Sequence, residues 1–267
     1  MENIALYGLE FNPYLKNSKE VTIETKETKE VKLRLDYILK TKGFGLITGN
    51  SGQGKTTIIR NWAKSLNPSL YKVIYSQLST LTTNDFYRHL VSEFGLQPTH
   101  KKSDNFKLIQ EEISRLVIER RKTPVIIIDE ANYINNAILN DLKLIFNFEM
   151  DSKDRAVVLL VGLSQLNVNL RLKIHEPLRQ RIIMNYNLEG LNKEEAKEYI
   201  LGKLKGAGAT QTVFEENAIE AIINAADGIP RIINRLCSSC LLIGSTIKST
   251  SITADIVMQA ITESELG

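Results

Sequence analysis

The octapeptide Gly49-Asn50-Ser51-Gly52-Gln53-Gly54-Lys55-Thr56 constrains this chain more than any other stretch. It has the form G-x-x-x-x-G-K-[ST], which works where a strand runs into a tight turn and the turn opens a helix. The glycines let the backbone curl so that its N–H groups point into one concavity, and the following helix adds the positive end of its dipole. The flanks agree: residues 44–48 form a short apolar run and residues 56–66 read as a helix. Such a turn implies an α/β fold whose loop grips a phosphate chain. Gly49, Asn50, Ser51, Gly52, Gln53 and Gly54 form the cradle. Lys55 is expected to reach the β- and γ-phosphates, Thr56 to offer its hydroxyl to Mg²⁺, and Thr57 to complete the binding set.

A second pattern fits the first. Val125-Ile126-Ile127-Ile128 is a run of four β-branched residues ending in Asp129-Glu130. A buried strand that delivers two carboxylates to its end suits a triphosphate loop. Asp129 is placed to hold Mg²⁺ through water, and Glu130 to orient or deprotonate an attacking water. The pair favours hydrolysis over transfer to another acceptor.

Strand and helix signals alternate across the first two thirds of the chain. Strands are expected at residues 44–48, 73–78, 125–128, 156–163 and 182–188, and helices at 26–40, 56–66, 83–94, 103–121 and 137–148. Several strands are apolar without alternation, which signals burial on both faces of a parallel sheet. Beyond residue 188 only helices are expected, at 192–205, 215–226, 230–243 and 253–263. The first of these opens with Asn192 and Glu195 spaced as a capping box. The fold class is therefore α/β, a three-layer αβα core with a five-stranded parallel sheet and a small C-terminal all-helical lid. The expected domains are an N-terminal segment 1–43 packing on the core, a nucleotide-binding domain 44–188 and a helical lid 189–267.

Composition excludes several classes. Apolar residues make up 43% and charged residues 24% of the 267, so disorder is not the main state. Two cysteines, Cys237 and Cys240, make a disulfide-stapled fold untenable; with no second pair and an apolar helical setting they read as buried side chains rather than a zinc or redox site. His89, His100 and His175 form no readable metal cluster. No apolar run approaches the ~20 residues of a membrane span, and no secretion signal opens the chain, so a soluble cytoplasmic protein with no membrane partner is expected. The net charge of +3 is unevenly spread: residues 188–267 carry 7 basic and 11 acidic side chains, the remainder 27 and 20. That asymmetry fits a polyanion-facing part beside a separate module as well as it fits a mildly basic surface with no partner.

The two motifs, their spacing and the helical appendix resemble AAA+ ATPases, which bind ATP with Mg²⁺. The resemblance implies further roles. The strand lying between the two motif strands ends in a polar sensor, for which Ser164 or Gln165 is the matching position. An arginine near the end of the α/β domain reaches the γ-phosphate of a neighbouring subunit, and here Arg181 or Arg179 stands at that place. The segment Gly228-Ile229-Pro230-Arg231 resembles the lid motif whose arginine, Arg231, contacts the γ-phosphate. Tyr7, Phe11 and Pro13 are candidates to line an adenine pocket, and core packing explains them equally well.

Within AAA+ proteins, the opening residues 7–14 look like the ExeA-like ATPases, and the compact build looks like the transposon ATPases TnsC, TniB, MuB and IstB. The latter assemble on DNA with ATP and recruit or activate a transposase. ExeA carries additional membrane and periplasmic parts, absent from this chain, so the transposition branch is the expectation and the ExeA-like secretion or assembly ATPase the alternative. The implied partners are other copies of the chain in a ring or helical filament, double-stranded DNA bound largely without regard to sequence, and a transposase or integrase. His100, Lys101, Lys102 and Lys107 are the expected DNA contacts, with Arg120-Arg121-Lys122 ranked lower; phosphate contacts of this kind are salt-sensitive and add along a filament.

Overall fold

A computed structural model describes residues 2–77, 82–149 and 152–265. Contacts divide the chain into two units. One is the α/β unit, Glu30–Ser51 and Lys55–Leu188; the other takes the residues up to Lys29, Gly52–Gly54 and the residues from Glu189 onward.

The α/β unit holds five strands, β1 (Gly43–Gly49), β2 (Tyr71–Ser76), β3 (Thr123–Ile128), β4 (Val157–Gly162) and β5 (Ile182–Leu188), in the order β2-β3-β4-β1-β5, with every pairing parallel. β1 and β4 are buried at every residue, and β3 is buried from Pro124 onward. The edge strands β2 and β5 instead alternate between buried and exposed residues, because only part of each is covered. Two apolar layers sandwich the sheet. On one face Ile47, Val125, Ile127, Leu159 and Val161 meet Val31, Leu35 and Ile38 of α2 (Lys26–Thr41) and Ile59 and Trp62 of α3 (Lys55–Ser65). On the other face Leu46, Ile126, Ile128, Val158 and Leu160 meet α4 (Thr83–Glu93), α5 (Lys102–Ile118), α6 (Asn136–Ile145) and α7 (Gln165–Arg171). Each fully buried Val, Leu or Ile contributes about 1.5–3 kcal/mol, so the layers hold the strand ends, and what they carry, in place.

The helical unit contains α1 (Glu2–Ala5), α9 (Lys193–Gly206), α10 (Glu216–Ala226), α11 (Pro230–Thr246) and α12 (Ala254–Glu265). The capping box forms as spaced: Asn192 Oδ1 accepts from Glu195 N at 2.9 Å and Glu195 Oε2 from Asn192 N at 3.2 Å. The expected N-terminal segment 1–43 is not one body. Its first part belongs to the helical unit, where Tyr7, Leu9 and Tyr14 are core residues, Tyr14 Oη donates to Ile200 O at 3.0 Å and Lys203 Nζ to Pro13 O at 2.9 Å. From Glu30 onward the chain packs on the sheet instead. The aromatic residues of the opening, not visible as a helical stripe, are what tie it to α9 and α11.

Other boundaries shift for local reasons. The helix expected to reach residue 121 stops at Ile118, since Arg121 takes a left-handed φ of 54°. The strand expected over 73–78 spans Tyr71–Ser76, and Leu78 lies outside the described residues. Between β4 and β5 the chain makes α7, a 3₁₀ turn at Lys173–His175 and the one-turn helix α8 (Glu176–Arg179), too short to leave a periodic signal.

Candidate nucleotide site

β1 ends at Gly49 and α3 begins at Lys55, so the turn between them has the strand-turn-helix setting its sequence demands. Gly52 and Gly54 take φ of 84° and 94°. Side chains resist that region, and a Cβ on Gly54 would meet nothing within 4 Å, so open space lies in front of the turn. Lys55 folds back over it: Nζ donates to Gly49 O at 2.9 Å and Asn50 O at 2.8 Å.

The carboxylate of Asp129, only 3% exposed, is the centre of the site. Its Oδ2 accepts from Thr56 Oγ1 at 2.9 Å and from the Tyr75 hydroxyl at 2.8 Å; its Oδ1 accepts from Glu130 N at 2.9 Å. Burial, and then the bond to Asp129, push the Tyr75 hydroxyl well above the ordinary phenol range, so it stays a donor. Glu130 stands just past the strand in a left-handed conformation, φ 53° and ψ 35°, which costs a residue with a side chain on the order of 1–3 kcal/mol. The fold therefore brings together Lys55, Thr56, Asp129 and Glu130.

These groups suit a magnesium-bound triphosphate. A hydroxyl and a carboxylate meeting at one point are hard oxygen donors, the kind Mg²⁺ takes. The ammonium of Lys55 rests on neutral carbonyls, which a phosphate oxygen would outcompete as a partner.

β4 does lie between β1 and β3, so its end is where a sensor is expected. Ser164 Oγ donates to Asn50 Oδ1 at 3.5 Å and Asn187 Oδ1 at 3.3 Å, whereas Gln165 Nε2 turns along its own helix to Asn169 Oδ1 at 3.4 Å. Asn187 also accepts from Thr48 Oγ1 at 2.9 Å. Ser164, rather than Gln165, is thus joined to the loop. Tyr75 and Asn187 join this cluster, and Asn132 borders it by accepting from Leu163 N at 2.9 Å, without having been singled out in the sequence. Each reaches it across strands, and no local motif marks them.

The two arginines differ. Arg179 is exposed and its Nη1 donates to Arg171 O at 3.0 Å, closing the end of α7. Arg181 is half-buried and donates to Lys143 O at 2.8 Å on α6. In the helical unit Arg231 is exposed, sits in the first turn of α11 behind Pro230, and donates its backbone N–H to Gly52 O at 3.2 Å. Tyr7 is fully buried in the helical core, where the space against it depends on Gly244 having no side chain, so it is not available to line a pocket.

Of the basic loop, His100 and Lys101 are exposed, and Lys107 faces solvent beside Glu111 at 3.8 Å. Lys102 is engaged elsewhere, ion-paired with Asp141 at 2.5 Å and lying 5.3 Å from the ring centre of Tyr87. The loop itself is fixed by the buried Asn105, whose Oδ1 accepts from Thr99 N at 2.8 Å. Among the described residues no group of three or more His, Cys, Asp or Glu could hold a metal ion by itself, Cys237 and Cys240 are buried free thiols, and no helix is long and apolar enough to cross a membrane.

Residues 38–170 match the AAA domain family. General secretion pathway protein A of Aeromonas hydrophila is 31% identical over 217 residues, which cover 80% of this chain and 39% of that protein. The chain thus spans about two fifths of the length of that relative. Among solved structures, the ORC2 protein of Aeropyrum pernix in its ADPNP and ADP complexes superimposes with a TM-score of 0.71 at 18% identity, over 95% of this chain and 71% of that one. The ORC1 protein of the same organism in complex with DNA gives 0.67 at 16% identity, over 94% and 68%. The fold is that of the P-loop AAA+ ATPases.

Proposed function

We propose, from the match of residues 38–170 to the AAA domain family, that this chain binds ATP with Mg²⁺ at the Gly49–Thr56 turn and hydrolyses it to drive or regulate an assembly. The observation that carries the reading is the 2.9 Å bond from Thr56 to the buried Asp129, with Glu130 next in the chain. Thr56 and Asp129 would hold Mg²⁺, which when bound neutralises phosphate charge. Gly49 to Gly54, with Thr57, would grip the phosphates through backbone amides, and Lys55 would leave its two carbonyls for phosphate oxygens. The Glu130 carboxylate would orient water for in-line attack and accept its proton. Ser164 would position the same water or the terminal phosphate from the opposite side. Arg231 would report nucleotide state to the helical unit. Arg179, the more exposed of the two candidates, or Arg181 would act on a neighbouring subunit in a homo-oligomer.

The similarity to general secretion pathway protein A supports a secretion or assembly ATPase over a transposition regulator. The second reading, an ATP-dependent DNA-binding regulator that recruits a transposase, draws on the ORC1 neighbour seen with DNA and on the exposed His100, Lys101 and Lys107. Lys102, held by Asp141, is the weakest of the proposed contacts.

The test has two arms. Glu130→Gln should keep nucleotide binding and lower phosphate release about 10²–10⁴-fold; unchanged release would refute the role given to Glu130. Electron microscopy with a non-hydrolysable ATP analogue, with and without duplex DNA, separates the two readings. Oligomers that form regardless of DNA support the secretion-type reading, and oligomers that form only around DNA support the other.

A further inference from the structure

The 3₁₀ turn Ala131–Tyr133 follows Glu130 directly, and one side chain in it leaves its own segment. Asn132 Oδ1 accepts from Leu163 N at 2.9 Å, just beyond the end of β4. The ladder explains why an acceptor is needed there. β3 pairs with β4 only as far as Ile128 with Leu160, so on that side the strand has run out of backbone partners by Leu163. Leu163 is partly buried, so the bond to its N–H contributes about 0.5–1.5 kcal/mol. Asn132 replaces the missing strand. Its approach also demands the residue at 162: a Cβ on Gly162 would lie 2.7 Å from Asn132 Oδ1 and 3.0 Å from Asn132 N.

One carboxamide therefore ties two pieces of the site by a hydrogen bond. On one side is the left-handed Glu130, fixed by Glu130 N to Asp129 Oδ1 at 2.9 Å and by Tyr133 N to Glu130 O at 3.1 Å. On the other is Ser164, one residue past Leu163, whose hydroxyl reaches Asn50 and Asn187. We infer that Asn132 is a positioning residue that sets the register between the Glu130 carboxylate and Ser164, so that water activation on one side of the site is locked to sensing on the other. This rests on the ATPase reading above and adds to it a regulatory link that neither motif contains. Glu130 has a strained backbone and needs such an anchor. A strained conformation persists only where its surroundings fix it.

The consequence is selective. Among the described residues Asn132 makes no hydrogen bond to the Gly49–Thr56 turn, so its loss should spare nucleotide affinity and fall on turnover. Asn132→Ala is expected to lower kcat about 10- to 100-fold while KM and the affinity for a fluorescent ATP analogue stay within about twofold. Asn132→Asp keeps the acceptor oxygen for Leu163 N and should retain kcat within about threefold. Gly162→Ala blocks the same contact from the other strand and should reproduce the selective kcat loss, which decides the matter should Asn132→Ala fail to fold. Glu130→Gln in the same assay separates the two levels. If Glu130→Gln abolishes turnover while Asn132→Ala and Gly162→Ala leave kcat within twofold, the positioning role is overturned and the ATPase reading stands. Equal losses in Asn132→Ala and Asn132→Asp, or a fall in affinity matching the fall in kcat, also overturn it. If wild type turns over no ATP, the ATPase reading itself fails.

Discussion

Single residues decide whether several close approaches in this chain are possible. Gly228 is the sharpest case. It follows Asp227, which ends α10 in a left-handed conformation, and itself takes φ 68°. Its carbonyl accepts from Leu191 N at 2.9 Å, and a Cβ at this position would lie 2.3 Å from Leu191 O. That atom is backbone and cannot step aside without moving the entry to α9. Gly228→Ala therefore combines a left-handed strain with a clash, and should destabilise the helical unit by about 2–4 kcal/mol. Urea denaturation followed by far-ultraviolet circular dichroism checks it, and a midpoint within error of wild type would contradict the geometry. The same scale shows what a sequence can disclose. Lys55, Thr56, Asp129 and Glu130 lie in two short runs whose chemistry depends only on neighbours in the chain, so they were legible. Tyr75, Asn132 and Asn187 act through contacts with Asp129, Leu163 and Thr48 that exist only once the strand order is known. Ser164 and Gln165 were equivalent as letters, and the turn of α7 separated them.

At the scale of elements, the long segments were readable because each buries one face over several turns or a whole strand. The short ones were not. α7, the 3₁₀ turn after it and α8 are too brief for a period, yet they carry both candidate arginines' surroundings. Their anchorage has a titratable member. His175 is fully buried, with Nε2 at 2.9 Å from Asn136 Oδ1 on α6 and no hydrogen-bond partner at Nδ1. The amide oxygen can only accept, so Nε2 carries a proton; burial disfavours the charged ring and lowers its pKa from the ordinary histidine range. The unfolded chain, with its histidine near pKa ~6.5, then binds a proton more readily than the folded one. Stability is fully retained above that value and falls as pH drops from it toward the lower folded-state pKa. His175→Gln lacks this contribution. Between pH 7.5 and 5.5 the wild-type denaturant midpoint should fall more steeply than that of the variant; parallel lines would show that His175 is not a buried neutral link.

In the whole molecule the one tryptophan, Trp62, sits on the helix that leaves the Gly49–Thr56 turn. It is 3% exposed and its Nε1 donates to Asp36 Oδ1 at 3.0 Å, so its emission should be blue-shifted when folded and should report the α/β unit alone. Far-ultraviolet circular dichroism reports helices of both units, so Trp62 emission is the probe that follows the α/β unit by itself. A ligand that binds only the folded state adds RT ln(1 + [L]/Kd) to stability, about 2.7 kcal/mol at a hundredfold excess over Kd. A non-hydrolysable ATP analogue with Mg²⁺ at that excess should therefore move the Trp62 transition to higher denaturant by that amount divided by the measured slope. Lys55→Ala, which leaves the fold's apolar layers untouched, should unfold near the wild-type midpoint without nucleotide and show little or no shift with it. A full shift in that variant would mean that the triphosphate is held somewhere other than the turn between β1 and α3, and the roles given to Thr56, Asp129 and Glu130 would lose their common ligand.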